Sequence, residues 1–157
     1  MHPSDPLART ELTFLLGMAF QLVLREFVQR VAAAGYPDLR PVHGMALQAL
    51  KGSGATSTEL AEHLGVTKQA AGHIVDDLEH RGYVRREPHP DGGRRRLVVL
   101  TDLALRHLAV AGRVLRGLEA EISGQLGEAD LAQLRVDLAR LTRQLAGEDL
   151  PPLRPLW

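Results

Sequence analysis

Residues 56–101 read TSTELAEHLGVTKQAAGHIVDDLEHRGYVRREPHPDGGRRRLVVLT, a pattern that predicts two short helices followed by a β-hairpin. Thr56 or Ser57, followed by Glu59, forms a capping box that begins the first helix. Gly65 can adopt the left-handed conformation that ends this helix, and Thr67 is a favourable N-cap for a second helix from about Lys68 to Arg81. Two helices joined by so short a turn must cross steeply, as a helix-turn-helix requires.

The second helix has an apolar face and a small polar face. Apolar residues recur at helical spacing and point inward; they are Ala71, Ile74, Val75 and Leu78. A helix that enters the major groove of DNA reads bases with residues near its N-terminus, where glutamine can bond adenine bidentately and threonine or lysine reaches phosphates or base edges. The candidate major-groove residues are Thr67, Lys68, Gln69, Gly72 and His73.

An arginine-rich hairpin follows the second helix. Gly82 ends the helix, and alternating residues predict strands over 83–86 and 96–100, with two prolines and two glycines in the turn between them. Residues 81–96 carry a net charge of +4 in a chain whose total charge is zero. An arginine at a hairpin tip can enter a narrow minor groove while its neighbours neutralise phosphates. The candidate wing and backbone residues are Arg85, Arg86, Arg94, Arg95 and Arg96.

This order of elements resembles the DNA-binding region of the MarR family of bacterial transcription regulators. The matching segments are ELAEHLGV (59–66), VDDLEHRGYVRR (75–86) and RRRLVVLT (94–101). In that family an Asp-x-Arg pair in the hairpin, or wing, directs the arginine into the minor groove. Arg94 matches the arginine, but Gly92 occupies the aspartate position. The resemblance therefore leaves two alternatives, a mobile wing or a pair formed by Asp91 with Arg94 or Arg95.

Helices are also predicted on both sides of this region. Thr10 is expected to cap a helix that Gly35 and Pro37 end, Pro41 to begin a second helix through Leu50, and Gly124 and Gly127 to break the helix that follows Thr101. The last helix, about Glu128 to Ala146, has leucines at heptad spacing. We therefore expect a mainly α fold with a small β-hairpin wing: a winged helix-turn-helix flanked by dimerisation helices.

In this interpretation residues 1–157 form a single domain, with dimerisation helices at 10–34 and 102–147 and the DNA-binding region at 41–101. The terminal helices carry more apolar surface than one small domain can cover, which favours a homodimer. A symmetric dimer would place its recognition helices one turn of DNA apart, about 34 Å, and would read an inverted repeat. The C-terminal Leu153, Leu156 and Trp157 are expected either to be disordered or to pack on the partner subunit.

Composition limits the function classes. The chain has no cysteine, which excludes thiol-based sensing and cysteine-ligated zinc. Its apolar runs are short and interrupted and its first ten residues lack signal-peptide features, so we expect a cytoplasmic protein without a membrane partner. A phosphate loop, a nucleophile elbow and a His-Glu metal motif are absent from the sequence, and the adjacent Asp76 and Asp77 point in different directions, so an enzyme is not indicated.

The resemblance also implies a small, often aromatic and anionic, effector bound between the dimerisation helices and the winged region. Candidate lining residues are Phe14, Met18, Phe20, His43 and Met45, with Arg9 as a further polar candidate, although such residues also occur in an ordinary core. Zinc-sensing relatives use His and Glu from comparable regions, here Glu26, His43 and His107. Ala111 stands where a second histidine is expected, so we expect no metal and no cofactor.

The sequence thus predicts a sequence-specific, DNA-binding transcription regulator, with a ligand-responsive dimeric repressor as the favoured form. The main alternative is a nonspecific architectural DNA-binding protein or a protein-interaction module. A regulator should prefer its specific site over other DNA by more than about a thousandfold, and an architectural protein should not.

Overall fold

The computed structural model describes residues 5–153, which form a short 3-10 helix, six α-helices and a two-stranded sheet. The 3-10 helix spans Pro6–Arg9. The α-helices are α1 (Leu12–Ala33), α2 (Pro41–Ala49), α3 (Ser57–Leu64), α4 (Lys68–His80), α5 (Asp102–Leu126) and α6 (Glu128–Ala146), and the strands are β1 (Val84–Pro88) and β2 (Arg96–Leu100). The predicted fold class, mainly α with a β-hairpin wing, is confirmed.

Local hydrogen bonds explain why α3 and α4 form where the sequence predicts. The Thr56 hydroxyl accepts the Glu59 N–H at 3.2 Å, and the Glu59 carboxylate accepts the Thr56 N–H at 2.7 Å, which completes the capping box. Gly65 ends α3 with φ of 65°, in the left-handed region. The Thr67 hydroxyl then accepts the Ala70 N–H and begins α4.

The wing is an antiparallel pair, with Val84 opposite Leu100 and Pro88 opposite Arg96. A bridge between Ala55 and Val98 joins the wing to the loop that precedes α3. Gly54 makes this approach possible, because a Cβ atom there would lie 2.3 Å from the Val98 carbonyl oxygen. The wing is therefore fixed at its base, while its tip extends away from the core.

One hydrophobic core joins α2, α3, α4, the wing and the start of α5. Its most deeply buried large apolar side chains are Leu47, Leu50, Leu60, Leu64, Val75, Leu78 and Val98. Each apolar α4 residue expected to point inward is buried. This core sets the orientation of α4 and leaves the first turn of that helix outside it.

The terminal helices bury little of their apolar surface within one chain. Val31 is the one buried residue of α1, and α6 has none. Phe14 and Leu145 are 64% and 80% exposed. The Arg30 guanidinium on α1 forms two hydrogen bonds with the Glu121 carboxylate on α5, at 2.6 and 2.8 Å.

Within the described residues, α1 alone is long and apolar enough to cross a membrane by length and composition. This differs from the expectation of short, interrupted apolar runs. However, its uncharged stretch covers only residues 12–24, and Arg25, Glu26 and Arg30 follow. A bilayer requires about 20 consecutive apolar residues, so α1 has the character of a helix that packs on protein.

Two predicted boundaries are wrong. Thr10 does not cap α1, because its hydroxyl donates to the Pro6 carbonyl of the preceding 3-10 helix and Glu11 is the N-cap. Gly124 does not break α5, which continues to Leu126 and ends where Gly127 adopts φ of 98°. The expected contacts of Leu156 and Trp157 lie outside the described residues.

Candidate DNA-binding surface and adjoining cavity

The first turns of α4 present the predicted base-reading residues to solvent. Lys68, Gln69 and His73 are exposed, and Gly72 is partly buried. A Cβ atom on Gly72 would meet no atom within 4 Å. Thr67 is also exposed, and its oxygen caps the helix while its hydroxyl hydrogen can still be donated. This part of α4 can therefore approach a large partner without steric obstruction from its own chain.

The tip of the wing carries two exposed cations. Neither the Arg94 nor the Arg95 side chain has a hydrogen bond or a salt bridge within residues 5–153, although the pKa of the Glu59 carboxyl is lowered by hydrogen bonds from Thr56 and, to a smaller extent, by the charge of Arg95. The Asp91 carboxylate lies 3.7 Å from Nδ1 of His89, and that nitrogen accepts the Asp91 N–H. Asp91 is thus turned toward His89, and the Asp-Arg pair considered from the sequence is not formed.

Three other arginines of the hairpin have partners within the protein. Nε of Arg85 donates to the Glu87 carboxylate at 2.8 Å, and Arg96 donates to the Arg86 carbonyl at 3.1 Å. The Arg86 guanidinium, with 25% of the side chain exposed, contacts the carboxylates of Asp76 and Glu79 on α4. Arg86 therefore connects the wing to α4, a role that the sequence analysis did not assign to it.

A second polar connection joins α4 to α2. Nε2 of the fully buried His43 lies 2.9 Å from the Asp77 carboxylate, and Nδ1 accepts the Arg40 N–H at 3.1 Å. Nε of Arg81 donates to the other Asp77 oxygen at 2.9 Å. This bond with Arg81 is the main reason that the pKa of Asp77 is lowered, whereas burial is the main reason that the pKa of His43 is lowered.

A cavity of about 450 Å³ lies between α1, α2 and α5. Of the residues expected in an effector pocket, Phe20 and Met45 line this cavity. Phe14, Met18 and His43 do not: the first two are exposed on α1 away from the cavity, and His43 is used in the bond to Asp77. Arg9 is not in the lining either. The polar lining residues are Arg40, Gln48, His63 and His107.

His107 is the most unusual of these residues. It is 3% exposed, and its Nδ1 has no hydrogen-bond partner in the described part of the chain. Its ring makes edge contacts with Tyr36 and Tyr83, at centroid distances of 5.0 and 5.9 Å. Burial lowers its pKa, so the imidazole is held in its neutral form.

The suggested zinc ligands do not meet. Across residues 5–153, no group of three His, Cys, Asp or Glu side chains is arranged to hold a metal ion. Glu26, His43 and His107 therefore do not form a cluster, because His43 is turned toward Asp77 and His107 lies between aromatic rings.

Comparison with known proteins supports the resemblance to the MarR family. The model of the MarR family matches residues 38–95, which include α2, α3, α4, β1 and the tip of the wing. This part of the chain is similar to that family. A search of curated protein sequences gave no match.

Solved MarR-family and related regulator structures have the same fold along most of their length. The repressor CouR bound to a 23-mer DNA duplex is 28% identical, with a TM-score of 0.70, and the match covers 85% of this chain and 93% of CouR. A probable transcriptional regulator from Pseudomonas aeruginosa is 26% identical, with a TM-score of 0.66 and coverages of 83% and 96%. Staphylococcus aureus MepR is similar in fold at 19% identity, with a TM-score of 0.71 and coverages of 87% and 99%.

Similarity to the MarR family explains the order of the elements but not several contacts of this chain. Asp76 and Asp77 are adjacent, yet one binds the wing and the other binds α2. The sequence did contain a signal for the first contact, because Asp76 and Glu79 are three residues apart and so lie on one face of α4. No local pattern could have identified the second contact, since His43 and Asp77 are far apart in the sequence.

Proposed function

We propose that this protein is a dimeric repressor that binds an inverted repeat and releases it in response to a small effector. The observation that carries the proposal is the combination of an exposed first turn of α4 with the exposed Arg94 and Arg95 on the wing tip, which form no salt bridge within the described residues. Exposed cations without a salt bridge are available to neutralise phosphates, which supplies most of the affinity of proteins for DNA.

The two elements have different roles in this proposal. Gln69, Lys68 and His73 lie in the major groove, where Gln69 reads a base edge and Thr67 and Lys68 contact phosphates or bases. Gly72 permits a close approach of the helix. Arg94 enters the minor groove, and Arg85, Arg95 and Arg96 contact the backbone.

Arg86 has a smaller part in DNA contact than its neighbours. Its guanidinium already faces the carboxylates of Asp76 and Glu79. A phosphate contact would require the exchange of these partners. We therefore assign Arg86 mainly to holding the wing against α4, which distinguishes it from the other hairpin arginines.

A second copy of the chain is the proposed partner of the terminal helices. The apolar side chains of α1 and α6 are largely exposed in one chain, including the heptad residues Leu134, Leu138 and Leu145. Leucines at heptad spacing pack into the facing side chains of another helix. Such a dimer would present two copies of α4 to DNA, and we infer that it acts in the cytoplasm.

The proposed effector site is the cavity between α1, α2 and α5. Its volume of about 450 Å³ lies in the range of small-molecule sites. Most of its wall is apolar, and Arg40 and His63 supply cationic or hydrogen-bonding groups. This chemistry suits a small aromatic compound, including an anionic one.

Nonspecific DNA binding is the second candidate function. It is favoured by the wing tip, where Gly92 and Gly93 have positive φ and Arg94 lacks an aspartate partner. A loosely defined wing would contact many sequences with similar affinity. The ratio of specific to nonspecific affinity separates the two candidates.

The test is selection of bound fragments from a genomic library by the purified protein, with competitor DNA present. Recovery of one inverted repeat, bound more than about a thousandfold more tightly than unrelated DNA, would support the regulator. Recovery of unrelated fragments with similar affinities would support the second candidate. A matched protein carrying Gln69→Ala and Arg94→Ala controls for binding by other surfaces.

A further inference from the structure

The partners of the buried His43 determine which nitrogen carries its proton. Nδ1 accepts the Arg40 N–H at 3.1 Å, so it cannot itself be protonated without losing that bond. Nε2 must then carry the hydrogen, and it lies 2.9 Å from the Asp77 carboxylate. The neutral imidazole thus accepts the Arg40 N–H at the start of α2 with Nδ1 and donates from Nε2 to the Asp77 carboxylate on α4.

Asp77 extends this connection to a third segment. Its second oxygen accepts Nε–H of Arg81, and Arg81 also donates to the Asp38 carbonyl at 3.0 Å. The last turns of α4 are therefore bonded both to the first turn of α2 and to the loop before it. Among the described residues, the charged groups that face His43 are Arg40, Asp77 and Arg81.

The same turn of α2 forms part of the cavity wall. Arg40, Pro41 and Gly44 line the cavity, and His43 lies between them on the opposite side of the helix. Asp77 lies nine residues from Lys68, about 14 Å along the axis of α4. A small tilt imposed at Asp77 therefore displaces the first turn of the recognition helix.

We propose that His43 and Asp77 are positioning residues, and that their hydrogen bond transmits a displacement of the cavity wall to the base-reading end of α4. This inference rests on the proposed function for its effect on DNA, but the mechanical connection itself can be tested without DNA. The bond is buried at His43, so water cannot replace it at low cost when it breaks.

Gly44 offers a probe of the cavity that needs no ligand. It lines the cavity, and a Cβ atom on it would meet no atom within 4 Å. Gly44→Leu places a side chain in the cavity, on the turn of α2 that also carries His43. Gly44→Ala is the matched control, because it makes the same change in backbone preference with a side chain too short to fill the space.

The experiment is a double-mutant cycle between Gly44→Leu and His43→Leu, which has no hydrogen-bond donor, read by affinity for the selected DNA fragment. We expect Gly44→Leu to change affinity by about fivefold or more, the range of ordinary couplings between sites, and His43→Leu to reduce that change to below about twofold. An equal change in both backgrounds would overturn the proposal. His80→Leu is the control for histidine loss, since His80 is exposed on α4.

Two measurements on the free protein keep the test independent of DNA. Nitrogen NMR should show His43 as the Nε2–H tautomer, and a proton on Nδ1 would contradict the assigned bonds. Hydrogen exchange of α4 amides should respond to Gly44→Leu in the wild-type background and not with His43→Leu. If His43→Leu does not fold, Asp77→Ala removes the same bond by deleting its acceptor. If the wild-type protein shows no preference among DNA sequences, the proposed function is refuted. The hydrogen-exchange cycle still tests whether the His43–Asp77 bond transmits a displacement of the cavity wall to α4.

Discussion

Arg86 of the wing and Asp76 of α4 form an ion pair with a nitrogen–oxygen distance of 2.5 Å, and Glu79 one turn further along α4 contacts the same guanidinium. Three-quarters of the Arg86 side chain is buried, whereas Asp76 is 65% exposed. The pair joins the two elements that are proposed to contact DNA. It therefore fixes the distance between α4 and the hairpin.

Arg86→Gln should loosen the wing more than it destabilises the fold. Ion pairs that are partly exposed contribute about 0.2–1 kcal/mol, so the free energy of unfolding should fall by no more than that. Amide exchange in β1 and β2 should become faster, and DNA affinity should fall. Because Arg86 is not the main phosphate contact, the dependence of affinity on salt should be unchanged. Arg85→Gln is the control for the exchange measurement, because Arg85 pairs with Glu87 within β1; as a proposed backbone contact it should instead make the salt dependence less steep.

Arg94→Ala should weaken DNA binding through lost electrostatic contact. The side chain has no partner within the described region, so its removal leaves no buried group unsatisfied and the melting temperature should not change. The slope of log affinity against log salt should become less steep by about one ion. Fluorescence anisotropy at several salt concentrations measures this, and an unchanged slope would remove the assigned role.

Gln69→Ala should relax the preference for one base pair of the binding site. A bidentate contact to a base is worth about 1–3 kcal/mol of discrimination, so the variant should accept substitutions at one position in each half-site. Repeating the fragment selection with the variant provides the measurement. Identical binding profiles would mean that α4 docks in a different register.

Stability should decrease as the pH is lowered below about 6.5, the ordinary pKa of histidine. Burial lowers the pKa of both His43 and His107 in the folded protein. Between the unfolded and the folded pKa values, the unfolded chain takes up protons that the folded chain does not, so acid favours unfolding. Urea unfolding from pH 8 to pH 5 tests this. His107→Phe should reduce the dependence, and His80→Gln should leave it unaltered.

Leu138→Glu should convert the proposed dimer into a monomer without unfolding the winged region. Leu138 lies on α6, outside the hydrophobic core of α2, α3 and α4. A charged residue in an apolar interface is costly to bury, so association should weaken. Sedimentation velocity would report the mass, and circular dichroism would report the helix content. A dimer that persists would place the interface elsewhere.

Local chemistry explains why most of the fold was predictable. Thr56 and Thr67 accept backbone N–H groups at helix N-termini, and Gly65 ends α3 in the left-handed conformation. Such effects depend on a few neighbouring residues. The boundaries of α6 were predicted in the same way. Thr10 was misassigned because it lies between the 3-10 helix and α1 and its hydroxyl bonds to the first of them, and Gly124 because a single glycine destabilises a helix only modestly.

The connections between elements were less accessible to sequence reasoning. His43 was expected in the effector pocket because it is a polar residue of α2, which lines the cavity. The His43 side chain lies on the other side of this helix, however, and contacts Asp77. Phe14 and Met18 were expected there for their apolar character, which a dimer interface requires equally. Sequence patterns identify faces of helices, whereas the partner of each face is a property of the assembled molecule.

On the first two turns of α4, the residues proposed to select the DNA sequence are not the residues that stabilise the fold. Lys68, Gln69 and His73 take no part in the core, and Gly72 has open space where a side chain would be. Substitutions at these four positions should change the preferred DNA sequence with little effect on stability. Gene duplication followed by drift at four codons could thus supply a genome with regulators of new operators, all built on one unchanged scaffold.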